Sequence, residues 1–168
     1  GLYIKEEEVS FSEYIFFDDT FSIMLPDKFE DMKPEIIALK YHSVNRPQIL
    51  KTNEDSTITI GLSKTDVKIT EAELSKTIKM IKQNVRNVQP ANVFFDKKCV
   101  KNNDISYGWF DFKSYAMDAQ VYYINAYPIV NEKMYHVVFS CLFRDMDIWK
   151  PIVLEILNSM KDLTKKDI

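Results

Sequence analysis

Four strand-like segments follow one another between residues 92 and 143 with only turn-length gaps: NVFFDKKCV, DISYGWFDFK, AQVYYINAYPIV and KMYHVVFSCLF. Sequential strands joined by short turns pair antiparallel, so this half of the chain reads as a meander. The polar KNND at 101–104 and NEK at 131–133 supply turns. In the last segment Tyr135, Val137, Phe139, Cys141 and Phe143 share one face, yet Val138 and Leu142 make the other face apolar too. A strand apolar on both faces belongs in the middle of a sheet, covered on each side.

The rest of the chain supplies helices and further strands. TFSIMLP (20–26) alternates Phe21, Ile23 and Leu25 against Ser22 and Met24 and stops at Pro26, a strand pattern. Pro34 ahead of Glu35, Ile36, Ile37 and Leu39 predicts a short helix. RPQILKT and STITIGL read as strands on either side of a turn at 53–56. The spacing predicts a long helix over 70–88: Thr70 and Glu73 fit a capping box, and Leu74, Ile78, Ile81, Val85 and Val88 form one apolar stripe. A C-terminal helix is predicted over 146–160, with Asp145 and Asp147 at its start and Trp149, Ile152, Val153, Ile156, Leu157 and Met160 facing the core. Residues 1–18, acidic with a triple Glu at 6–8, read as an N-terminal arm with an edge strand around YIKEEEVSF. Residues 161–168 read as a frayed tail, leaving 19–160 as a single domain.

Composition narrows the chemistry. A chain of 168 residues is long enough to bury about two-thirds of its unfolded surface without metals or disulfides. Its only glycines are Gly1, Gly61 and Gly108, too far apart for a phosphate-cradling loop, which excludes Walker and Rossmann nucleotide sites. The net charge of -3 argues against a bulk cationic surface for nucleic acid. No run reaches the ~18 apolar residues of a membrane span. The chain starts at Gly1 without a charged-then-apolar signal, so the expected location is cytoplasmic, or extracytoplasmic if a leader was removed. Abundant Lys, Asn and Ile suggest an AT-rich bacterial genome.

Catalytic and metal constellations are thin. Cys99 and Cys141 lie in apolar, strand-like runs and read as two buried thiols, with a single bridge open in an oxidising compartment. His136 alternates with an apolar strand face and reads as a satisfied structural histidine. Neither CxxC nor HExxH occurs, and no cofactor or metal is expected. Lys79, Lys82 and Arg86 form a basic edge beside the apolar stripe of the long helix, either a solvated face or a docking patch for an acidic partner. Tyr107 and Trp109 would floor a groove if the sheet has an uncovered side. The stretch ALKYHSVNRPQIL (38–50) gathers Lys40, Tyr41, His42 and Arg46. It is either a corner, with Arg46 tying down loop carbonyls, or a partner-binding edge, with Arg46 forking onto a carboxylate.

The order FSIMLPDKFEDM, KYHSVNRPQIL, TITIGLS, amphipathic helix, aromatic meander, YHVVFSCLF and IWKPIVLEILNSM resembles the PsbP-like superfamily over roughly residues 19–160. That superfamily includes Ran-binding Mog-type proteins, the lipoprotein DcrB and type VI effector chaperones. The resemblance implies an α+β fold: an α/β/α sandwich around a six- or seven-stranded, mostly antiparallel sheet. It also implies a binding or assembly role rather than an enzyme, with no catalytic motif to carry over.

The leading expectation is therefore a non-catalytic domain recognising a protein partner, through Lys40, Tyr41, Arg46, Tyr107 and Trp109. The alternatives are a carrier of a small apolar ligand, and an enzyme whose site is assembled from distant segments. A cavity would favour the carrier, and a cleft holding His136 with Cys141 or a carboxylate the enzyme.

Overall fold

The computed structural model describes residues 2–5, 7–43 and 45–165. In chain order they form β1 (Leu2–Ile4), β2 (Glu7–Val9), β3 (Phe11–Phe16), β4 (Phe21–Pro26), β5 (Glu30–Asp31), α1 (Pro34–Lys40), β6 (Ile49–Thr52) and β7 (Thr59–Ser63). Then come α2 (Glu71–Val88), β8 (Val93–Lys101), β9 (Ser106–Tyr115), β10 (Gln120–Val130), β11 (Lys133–Met134), β12 (His136–Leu142), α3 (Met146–Asn158) and β13 (Lys161–Asp162).

The main sheet runs β5-β6-β7-β12-β10-β9-β8, with the short β11 bonded to β10. Its pairs are antiparallel. The meander forms as β8, β9, β10 and β12, and β12 lies centrally between β7 and β10. The sheet holds eight strands rather than six or seven because the two-residue β5 and β11 extend it.

Side chains alternate across the sheet and bury two cores. On one face Ile60, Leu62, Ile124, Val137 and Phe139 pack with Val153, Ile156 and Leu157 of α3 and with Phe21, Ile23 and Leu25 of β4. On the other, Phe110, Phe112 and Tyr127 pack with Leu74 and Ile78 of α2. Each such large side chain contributes about 1.5–3 kcal/mol on burial. The result is a sandwich with helices on both faces of one sheet.

β9 is apolar on both faces, and this corrects one expectation. Tyr107 and Trp109 are only 3% and 6% exposed and belong to the α3-side core, so they cannot floor an open groove. Their alternates Phe110 and Phe112 meet α2. Gly108 lets α2 sit close: a Cβ there would stand 2.5 Å from Cγ1 of Ile78. The capping contact forms, Thr70 N–H donating to Glu73 Oε1 at 3.1 Å. The apolar stripe holds for Leu74, Ile78, Ile81 and Val85, but Val88 is 80% exposed because the last turn overhangs the sheet.

The register of β8 against β9 slips between Phe94 and Lys97. The slip turns Phe95 and Asp96 together toward the α3 side. Phe95 stacks on Phe143 with ring centres 6.2 Å apart. Lys150 of α3 reaches Asp96 at 2.6 Å and Asp111 at 2.7 Å. Asp111 is fully buried; it also accepts bonds from the Tyr122 hydroxyl at 2.5 Å and the Asp96 N–H at 2.7 Å. Burial alone would lower the Lys150 pKa, but its bonds to Asp111 and Asp96 outweigh that and hold it above the usual lysine value.

The chain termini differ from the sequence expectation. β3 pairs with β4 from Phe11↔Pro26 to Phe16↔Phe21, so a hairpin straddles the expected boundary at 18/19. Its turn places Phe17, Asp18 and Asp19 at positive φ with no glycine to signal it. Phe17 compensates by packing edge-on against Tyr135, ring centres 5.4 Å apart. At the other end β13 pairs with β4 instead of fraying. Residues 166–168 of the expected tail lie outside the described residues. Among the described residues no helix is long and apolar enough to cross a membrane.

Candidate binding cleft

α2 lies chiefly over the β8–β9 end of its face of the sheet. At the other end the segment after α1 folds back onto β7, where Pro47 lies on Gly61; a Cβ at Gly61 would stand 2.6 Å from Pro47 Cγ. Between these two covers lies a cleft of about 460 Å3. Its floor comes from the register: Thr59 pairs with Ser140, Ser63 with His136, and Tyr123 with Ser140. Paired residues share a face, so these polar side chains form a strip while their neighbours Ile60, Leu62, Val137 and Phe139 fill the core.

Lys40, Tyr41 and Arg46 line the cleft on the α1 side. Lys40 donates to the Ser56 carbonyl. Burial lowers the Lys40 pKa and raises that of Tyr41. Arg46 is exposed and has no hydrogen-bond or ion-pair partner among the described residues. The clasp of this corner is Gln48 instead: its side chain accepts from the Lys64 N–H at 3.1 Å and donates to the Lys64 carbonyl at 3.3 Å. Of the described residues lining the cleft none is acidic. Asp55, the carboxylate whose charge reaches Lys40, is engaged by Thr57 and Asn53. His42, the fourth member of the stretch, is exposed and does not line the cleft.

His136 forms the polar centre of the floor. Its Nε2 lies 2.6 Å from Asn125 Oδ1, and its ring stacks on Tyr127 at 4.8 Å with an interplanar angle of 5°. Burial lowers its pKa to about 4, so the ring is neutral at pH 7. Cys141 also borders the cleft, but strand alternation sends its thiol into the opposite core, where burial and then the Asp145 carboxylate push its pKa up to about 12. A protonated thiol on the far face is not a nucleophile for His136. Cys99, expected buried, is exposed, because β8 is an edge strand; both cysteines are free. Among the described residues no three His, Cys, Asp or Glu side chains converge as metal ligands. Asp145, at the start of α3, is paired with Lys5 at 2.9 Å.

The structure thus brings Lys40, Tyr41 and Arg46 together with His136, which the sequence reads as structural, and with Tyr123 and Ser140, which it does not single out as site residues. A signal for the polar floor exists: Thr59, Gly61 and Ser63 on one strand and His136 and Ser140 on another are small or polar at alternate positions of central strands. A second concavity, about 400 Å3 and almost wholly apolar, lies between the N-terminal strands and α3, lined by Leu2, Phe11, Met24, Pro151, Ile152 and Ile156.

No protein-family model and no curated protein matches this sequence. Solved structures do match. Cyanobacterial PsbP (CyanoP) from Synechocystis sp. PCC 6803 aligns over 96% of this chain and 98% of its own, at 9% identity and a TM-score of 0.68. LpqN, involved in cell envelope biogenesis of Mycobacterium tuberculosis, aligns over 95% of this chain and 94% of its own, at 10% identity and a TM-score of 0.56. At such identities the likeness is one of fold, and the fold is the PsbP-like sandwich.

Proposed function

We propose that this chain is a non-catalytic binding domain that recognises a protein partner through the cleft, with a partner carboxylate held between Lys40 and Arg46. The observation that carries the reading is the charge pattern: two cations on one side of a cleft whose described lining contains no acid. Lys40 is partly desolvated and spends one of its three donors on the Ser56 carbonyl, and Arg46 is unpaired among the described residues, so a carboxylate arriving from outside meets donors that remain free. Tyr41 and Tyr123 supply apolar area with polar tips, a residue type favoured at recognition surfaces. The non-catalytic part rests on the separation of His136 from the Cys141 thiol across the sheet.

Site-specific photo-crosslinking in the native host tests it. A benzophenone side chain at Tyr41 is expected to give a discrete protein adduct that Arg46→Glu abolishes while the melting temperature stays unchanged. Absence of any adduct, or an adduct indifferent to Arg46→Glu, rejects the reading. The apolar groove beside α3 favours a second reading, carriage of a small apolar ligand. Mass spectrometry of an organic extract of the purified protein decides it: a stoichiometric apolar molecule supports carriage, and an empty extract rejects it.

A further inference from the structure

On the far side of α2 from the cleft, the helix runs beside the free edge of β8. Two cations of the helix converge on one aromatic ring of the strand: Lys82 Nζ lies 5.5 Å and Arg86 Cζ 4.9 Å from the centre of Phe94. Lys97 follows on the same face of β8, because it pairs with Phe110, a residue that packs on α2. We propose that this seam binds an extended acidic polypeptide segment, which adds to β8 as a further strand while its carboxylates meet Lys82, Arg86 and Lys97.

Three observations carry this. The first is an imbalance along one seam. At its other end Lys101 is paired with Glu71 at 3.1 Å. Lys82, Arg86 and Lys97 have no carboxylate partner among the described residues. The crowding has a cost: burial first, then the charges of Arg86 and Lys97, lower the Lys82 pKa. The second is the edge itself. β8 is nine residues long, stands last in the sheet, and is largely exposed, including Val93 and Phe95. An edge strand offers unpaired backbone groups, and strand addition is a standard mode of peptide capture. The third is the choice of partner. Lysines on an edge also discourage self-pairing, which accounts for cations on β8 but not for Lys82 and Arg86 on the helix. Nucleic acid fits less well, because the chain is net negative and the Phe94 ring at the seam is already covered by two cations rather than open for a base to stack on.

The test uses the whole chain, labelled with 15N, and a short peptide of alternating Glu and Val as probe, with Gln-for-Glu and central-Pro versions as controls. Amide shifts are expected at 93–101 and 79–86 and not at 40–46. Both control peptides, and the double variant Lys82→Glu/Arg86→Glu, in which Lys82 is half-buried and Arg86 exposed, checked for an unchanged thermal melt, are expected to weaken binding at least about tenfold. Single substitution Lys97→Glu gives an independent reading should the double variant fail to fold. The proposal is overturned by any of four results: no shifts at millimolar peptide, shifts confined to the cleft, binding indifferent to charge reversal or to the proline, or tighter binding of oligodeoxythymidylate to the same residues.

Discussion

Arg46, Gln48 and Lys150 separate surface charge from structural charge. Arg46 is exposed without a partner among the described residues, so Arg46→Ala is expected to leave stability within about 0.5 kcal/mol of wild type. Gln48 clasps both backbone groups of Lys64, so Gln48→Ala is expected to cost about 1 kcal/mol. Lys150→Ala is the severe case. It strips the counter-charge from Asp111, which is fully buried and among the described residues then keeps the Tyr122 hydroxyl and one N–H as donors. A loss of about 3 kcal/mol is expected, read by urea unfolding of the three variants side by side. Equal losses for Arg46→Ala and Gln48→Ala would restore Arg46 as the tie of the 38–50 corner.

At the level of elements, two glycines set how closely the covers approach the sheet. Gly108 faces α2 and Gly61 faces the segment after α1. Gly61→Ala would drive Pro47 off β7, since the new Cβ would sit 2.6 Å from Pro47 Cγ and 3.0 Å from Val138 Cγ1. The expected cost is about 1–3 kcal/mol by thermal melting, with amide shifts concentrated at the cleft; a neutral substitution with an undisturbed cleft would contradict this packing. The same contacts explain what was legible beforehand. α2, α3 and the meander were readable because their periodicity is sustained over seven or more residues in each element. Which face of β9 would be covered was not, because Tyr107 and Trp109 on one side and Phe110 and Phe112 on the other are equally apolar. The β3–β4 hairpin was hidden because Phe17, Asp18 and Asp19 adopt left-handed backbone without glycine, held by packing on Tyr135 rather than by local preference. The cleft was hidden for a different reason: it joins side chains from the α1–β6 connection, β7, β10 and β12, whose proximity depends on register.

For the molecule as a whole, the polar strip within the sheet predicts a pH dependence of folding. In the folded state His136 has a pKa of about 4, because burial disfavours its charged form; in the unfolded chain a histidine titrates near ~6.5. Between those values the unfolded state binds the extra proton, so stability rises with pH through this window. Stability is therefore complete above pH ~6.5 and is lost as the pH falls toward 4, by at most about 2 kcal/mol between pH 7 and pH 5. Lys40 and Arg46 line the same cleft and add no negative charge that would favour protonation. The lowered carboxylates Asp55 and Glu71 act in a lower range, since their stabilisation fades as the pH falls through their ordinary values of 3.8 and 4.5. Unfolding free energies measured from pH 7.5 to pH 5 in wild type and His136→Gln isolate the effect. Glutamine keeps a donor toward Asn125 but does not titrate. Wild type is expected to lose stability across the range and the variant to stay flat. Identical slopes would mean that the imidazole is solvated in the native state, and that the cleft floor is wetter than its packing against Tyr127 implies.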